Sequence, residues 1–178
     1  KKEAAFTFFI DPGRRVYVRR INVAGNSRTR DEVIRREMRQ VEGGWYAVDK
    51  ITLSRQRIDK LGYFNEVNVE TPAVQGTTDQ VDVNVTVVEK PTGSVLFGAG
   101  FGSGSGVSLS GSVSQNNIFG SGKHVSAGVN SGKINTLYSL SYTDPYFTVD
   151  GVSLGYDLYH RKVDAASAGL GLYETKTT

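Results

Sequence analysis

Two histidines and one glycine-rich run are the residues of this chain whose types could support chemistry, and their settings argue against it. His124 follows Lys123 in a predicted turn, and His160 precedes Arg161 at a predicted strand end. Neither has carboxylates at ligand spacing, so both read as loop or interface residues rather than metal ligands or general bases. Gly98-Ala99-Gly100-Phe101-Gly102-Ser103-Gly104 has the glycine density of a phosphate-binding loop. Such a loop needs Gly-Lys-Ser/Thr opening a helix, and a dinucleotide turn needs a following helix; here the flanks read as strands. The chain has no cysteine, which removes a disulfide scaffold, a thiol nucleophile and a thiolate metal site. No catalytic residue, cofactor or metal is expected.

The elements that carry these residues change character near Pro91. Six of the 21 glycines precede it and fifteen follow; residues 1–91 hold 16 Lys+Arg and 13 Asp+Glu, leaving five of each for residues 92–178. The net charge of +3 is too mild to argue for nucleic acid, and no aromatic-and-basic recognition pattern appears. No run of about 18 apolar residues exists for a membrane helix. There is no signal peptide and no initiator Met, so Lys1-Lys2-Glu3 reads as a cut inside a longer precursor.

In the first half, Arg15–Val23 alternates as a strand that Gly25-Asn26 ends. Thr29-Arg30-Asp31-Glu32 fits a capping box, with Asp31 and Glu32 at the positive end of the helix dipole. That helix is expected to turn Val33, Ile34, Met38 and Val41 inward and Arg35, Arg36 and Arg39 outward, and to stop at Gly43-Gly44. A second helix over Val48–Leu61 places Ile51, Ile58 and Leu61 at helical spacing. Strands over Glu66–Thr71 and Val81–Val88 follow, joined by a turn at Gln75-Gly76-Thr77-Thr78. The order β-α-α-β-β predicts two helices on a three-stranded sheet.

The second half alternates apolar with small or polar residues. Val95, Phe97, Ala99 and Phe101 oppose Leu96, Gly98, Gly100 and Gly102; Val107, Leu109, Gly111 and Val113 oppose four serines. Strands centred on Val125–Asn130, Tyr138–Tyr142 and Val152–Tyr159 repeat the pattern, and a sixth is expected within 168–173. Segments of 8–10 residues with period two match a tilted transmembrane strand. The second face is Ser, Gly and Asn rather than Lys and Glu, which suits an enclosed interior better than open water. Phe119, Tyr146 and Phe147 fall near strand ends, as an interfacial girdle requires. Five or six strands cannot close such a barrel, and an open sheet in lipid strands polar backbone groups, so the expectation is a piece of a larger barrel.

The residues also carry a resemblance. Val18-Arg19-Arg20-Ile21-Asn22-Val23-Ala24-Gly25-Asn26, Val33-Ile34-Arg35-Arg36-Glu37-Met38 and Leu61-Gly62-Tyr63-Phe64 resemble the last POTRA module of the BamA family. Thr92-Gly93-Ser94, Gly104–Ser108 and Pro145–Gly155 resemble that family's opening barrel strands. The resemblance implies an α+β POTRA domain (β-α-α-β-β) over 15–91, after a linker over 1–14, then antiparallel strands of a partial transmembrane β-barrel over 92–178.

It also implies function: folding and inserting client barrel proteins into the bacterial outer membrane, with the POTRA domain in the periplasm. In the family the first barrel strand pairs poorly with the last and templates an incoming strand. Here that strand is Val95, Leu96, Phe97, Gly98, Ala99, Gly100, Phe101 and Gly102. Glu42 matches an acid that contacts the partner lipoprotein BamD, with Arg36 and Arg39 expected to assist. A helix dipole disfavours a carboxylate at its C-terminal end, so helix stability does not account for Glu42. Expected partners are a BamD-like and other assembly-complex lipoproteins, unfolded outer-membrane proteins and the bilayer. The alternative is a related transporter that secretes one dedicated partner, since fold alone does not separate the two.

Overall fold

The computed structural model describes residues 14–103, 106–164 and 174–178. Its first sheet holds β1 (Tyr17–Ala24), β2 (Phe64–Glu70) and β3 (Gln80–Glu89) in the order β1-β3-β2, with β1 parallel and β2 antiparallel to β3. Between β1 and β2 lie α1 (Asp31–Arg35) and α2 (Val48–Lys60). Val18 and Ile21 both point into the core although three positions apart, because a bulge at Arg19 breaks the period of two. They pack with Ile34, Met38, Ile51, Ile58, Phe64, Val67, Val83, Val85 and Val87.

The first helix differs from its expectation. It ends at Arg35, not near Val41, and Thr29 does not cap it; Arg30 occupies the N-cap without a side-chain bond. Val33, Ile34 and Met38 are buried as expected, but Val41 is exposed. The reason lies in two buried polar side chains. Gln40 donates to the Trp45 carbonyl at 3.0 Å and accepts from the Ala47 amide at 3.1 Å, while Ser54 Oγ accepts from the Arg39 amide at 2.8 Å. These bonds hold residues 39–47 as a loop against α2, and satisfied polar groups in a low-dielectric interior outweigh one more helical turn.

The second sheet runs β4 (Gly93–Gly102), β5 (Gly106–Gln115), β6 (His124–Gly132), β7 (Asn135–Asp144), β8 (Leu154–Asp164) and β9 (Glu174–Thr177), all antiparallel in sequence order. The expected strand start at Val152 is corrected to Leu154, because the Val152 carbonyl instead closes a turn with the Phe147 amide at 3.0 Å. The expected strand within 168–173 lies outside the described residues. Register puts Val95 across from Val113, Val113 from Ala127, Ala127 from Leu140 and Leu140 from Leu158, so one apolar face crosses five strands. Phe97 and Phe101 on that face are 87% and 82% exposed. A face this apolar and this open is made for lipid.

Candidate functional site

The first strand of the second sheet is the first part of the site. Among the described residues β4 bonds to β5. Its foot is fixed. The Thr92 carbonyl accepts from the Asn116 amide at 3.0 Å, the Thr92 hydroxyl accepts from Gln115 Nε2 at 2.8 Å, and the Lys90 amide donates to the Tyr63 carbonyl at 3.0 Å. Above that anchor Gly98 and Gly100 face Ser110 and Ser108; a Cβ would lie 2.6 and 2.9 Å from the respective hydroxyls. The glycines therefore make room for the seryl hydroxyls of β5, and only Leu96 gives this face of β4 an apolar side chain.

The second part is the joint between the sheets, which the sequence did not announce. The turn after β5 holds Asn117 and Phe119 at φ of 57° and 50°, in the left-handed region that non-glycine residues seldom enter. It is held there by the first domain. Buried Asn117 Nδ2 donates to Thr29 Oγ1 at 2.7 Å, the Arg30 amide to the Gly120 carbonyl at 3.0 Å, and the Tyr63 hydroxyl to the Gly122 carbonyl at 3.2 Å. Thr29, expected as a helix cap, thus serves this turn. Below it the Glu89 carboxylate accepts from the Thr29 and Arg28 amides and the Ser27 hydroxyl. Burial pushes Glu89 up, but these bonds outweigh it and hold the carboxyl below the usual glutamate range.

The turn after β7 docks beside it. The Arg36 guanidinium lies 4.2 Å from the centre of the Tyr146 ring, and Arg57 Nη2 donates to the Tyr146 hydroxyl at 3.2 Å. Arg57 also pairs with buried Glu37 at 2.7 Å. Burial, then Glu37, pushes the Tyr146 hydroxyl above the usual tyrosine range. Two expectations change here. Arg36 does not project outward but stacks on the barrel turn, and Tyr146 engages the first domain rather than a lipid girdle. Phe119 and Phe147 remain exposed.

Glu42 forms the third part. Its Oε1 accepts from the Ile21 amide at 2.8 Å, while Arg35, 3.6 Å from the same oxygen, donates to the Ile21 carbonyl at 2.9 Å. Gly43 and Gly44 bond Val18 further along that edge. Glu42 therefore caps the outer edge of β1, a local role the helix-end argument missed, and its side chain remains about half exposed. Arg39 is exposed near it in sequence, whereas Arg36 is committed to Tyr146.

The histidines take no part. His124 opens β6 rather than lying in a turn, with Nδ1 2.5 Å from Asn116 Oδ1; His160 sits inside β8 rather than at its end, with Nδ1 3.0 Å from Thr178 Oγ1. Among the described residues no cluster of His, Asp and Glu could hold a metal ion.

Residues 16–90 match the POTRA family, described as a surface antigen variable number repeat, and residues 117–178 match the Omp85 superfamily domain. The outer membrane protein assembly factor BamA of Neisseria meningitidis serogroup B is 44% identical over 177 residues, which is 99% of this chain and 22% of that protein. This chain is a BamA homologue. It spans about a fifth of the length of that relative. The crystal structure of Haemophilus ducreyi BamA lacking POTRA domains 1–3 superposes with a TM-score of 0.76 at 42% identity, over 86% of this chain and 29% of that one. CdiB from Acinetobacter baumannii, at 13% identity and a TM-score of 0.58 over 91% of this chain and 32% of that one, shares the fold alone. The POTRA fold thus accounts for the first sheet, and the Omp85 fold for the antiparallel strands of the second.

Proposed function

We propose that this BamA homologue serves in the outer membrane to fold and insert other barrel proteins, with β4 as the strand that receives the client. The observation that carries the reading is the thin packing of β4 over a fixed foot, with Gly98 and Gly100 on one face, in a BamA homologue. A strand held by so few side-chain contacts parts cheaply from a neighbour, and its backbone then pairs with a client strand by β-augmentation. The glycines leave little side-chain packing to hold a competing strand in place. Nothing in the mechanism calls for a bond-breaking step; the free energy comes from the client's own folding and burial in lipid. The POTRA domain lies on the periplasmic side in this reading. The half-exposed Glu42 and Arg39 form the contact for a BamD-like lipoprotein, in a complex with other assembly lipoproteins.

The test is depletion of the full-length protein with quantification of many outer-membrane barrels at once. A broad fall in barrels supports the reading. Intact barrels with a single secreted protein missing would assign the chain to a dedicated transporter instead.

A further inference from the structure

Beside the joint lies a cavity of about 550 Å³ whose walls include Arg30, Arg36, Lys123, Asp144, Phe147 and Val149. Three observations bear on what it holds. The first is position. Asp144 continues the face of Leu140 and Tyr142 along β7, and it pairs with Leu154 as Tyr142 pairs with Tyr156. The cavity therefore opens on the apolar side of the wall, just below the stacked Tyr142 and Tyr156 rings, whose centres are 6.5 Å apart. Paired tyrosines at the end of an apolar strand face mark the level of lipid headgroups.

The second is charge. Arg30 pairs with Glu32 at 3.5 Å and Lys123 with Asp144 at 2.9 Å, and Arg36, stacked on Tyr146 and also attracted by Asp144, leaves the lining with one net positive charge. Its Nε and Nη2 are buried and meet no acceptor among the described residues. Planar guanidinium groups match phosphate oxygens, so the net positive charge of the lining favours a phosphate in the cavity. The third is the rim. Phe147, Val149 and Val152 project from the turn after β7 into the open, Val149 completely. The fold gains nothing from three apolar side chains there; acyl chains would cover them.

We propose that this cavity binds the phosphodiester headgroup of a phospholipid in the POTRA-side leaflet, with the acyl chains laid over Phe147, Val149 and the lower end of β8. One net positive charge suits one phosphodiester. Because Arg36 stands on the POTRA domain and Phe147 on a barrel turn, the lipid bridges the two. The proposal rests on the apolar face lying in a bilayer, the reading given above.

Native mass spectrometry of the full-length protein released from nanodiscs tests it, with phosphatidylglycerol, diacylglycerol or inorganic phosphate supplied as probe. The expected result is retention of phosphatidylglycerol over diacylglycerol, reduced about tenfold by Arg36→Gln, the loss of roughly one charge-assisted hydrogen bond. Heat-modifiable migration reports whether the variant barrel is folded. Should Arg36→Gln not fold, the exposed pair Phe147→Ser and Val149→Ser is read instead, with an expected loss of at least about fivefold. Equal retention in the variants, or of diacylglycerol, overturns the proposal. Displacement of the lipid by inorganic phosphate also overturns it, in favour of a free-anion site. Failure of the wild-type protein to enter nanodiscs would overturn the membrane reading itself; entry without lipid retention overturns only the headgroup site.

Discussion

Arg57 and Tyr146, 89 positions apart in the chain, meet through a hydrogen bond of 3.2 Å from guanidinium to phenol. Arg57 belongs to α2 of the POTRA domain and Tyr146 to the turn that follows β7. Through Glu37 and Arg36 the same contact reaches the loop after α1, so the barrel turn reads the position of the POTRA helices directly. A joint of this kind sets the angle at which the foot of β4 is presented.

Removing that phenol is therefore expected to loosen the joint without unfolding either side. Tyr146→Phe keeps the ring under Arg36 and leaves Arg57 paired with Glu37. A hydrogen bond to a charged donor contributes about 1.5–3 kcal/mol, so exchange of the amides in residues 146–152 is expected to rise at least tenfold, measured by hydrogen–deuterium exchange. Unchanged protection there would show that Arg36 alone holds the turn.

Acid is expected to weaken the POTRA domain through Glu89. The folded-state value of Glu89 is depressed, so its contribution is present at pH above the unfolded value of about 4.3 and is lost as pH falls through the lower folded value. Asp82, lowered chiefly by its hydrogen bond from Arg19, acts with the same sign. Glu89→Gln is expected to flatten the stability profile below about pH 4.3 while leaving the Asp82 portion. Denaturant midpoints across pH 3–7 for the two proteins check it, and a wild-type slope retained in the variant would assign the acid sensitivity elsewhere.

Gly98 offers a test of how β4 is packed. Alanine ordinarily improves on glycine inside a strand by roughly 0.5–1 kcal/mol. Here the added Cβ would stand 2.6 Å from Ser110 Oγ, so Gly98→Ala is expected to destabilise by about 1–3 kcal/mol, the usual cost of overpacking. Ser110→Gly in the same protein is expected to restore stability, read from the midpoint of heat-modifiable migration. Stabilisation by Gly98→Ala alone would mean that the hydroxyl turns aside freely.

Much of this architecture was legible in the chain. The period of two through Val107–Ser114, the valine alternation of β3 and the helical spacing of Ile51 and Ile58 depend only on backbone geometry repeated along a segment. The sequence alone determined the element order, the division near Pro91 and the apolar-against-small faces of the barrel strands. Local periodicity, however, carries no information about partners distant in the chain.

Tertiary structure decided the rest, because its contacts join residues 21 to 110 positions apart. Thr29 looked like a cap and became an acceptor for Asn117; Tyr146 looked like a girdle residue and became a ligand for Arg57. Arg36 carried the signature of a solvated helix face and lost it when α1 ended early. Glu42 had no local rationale until folding placed the bare Ile21 amide beside it. For Thr29, Tyr146 and Glu42 a polar group that could be satisfied by water in the unfolded chain was brought to a place with one available partner, and the cost of leaving it unpaired fixed the arrangement.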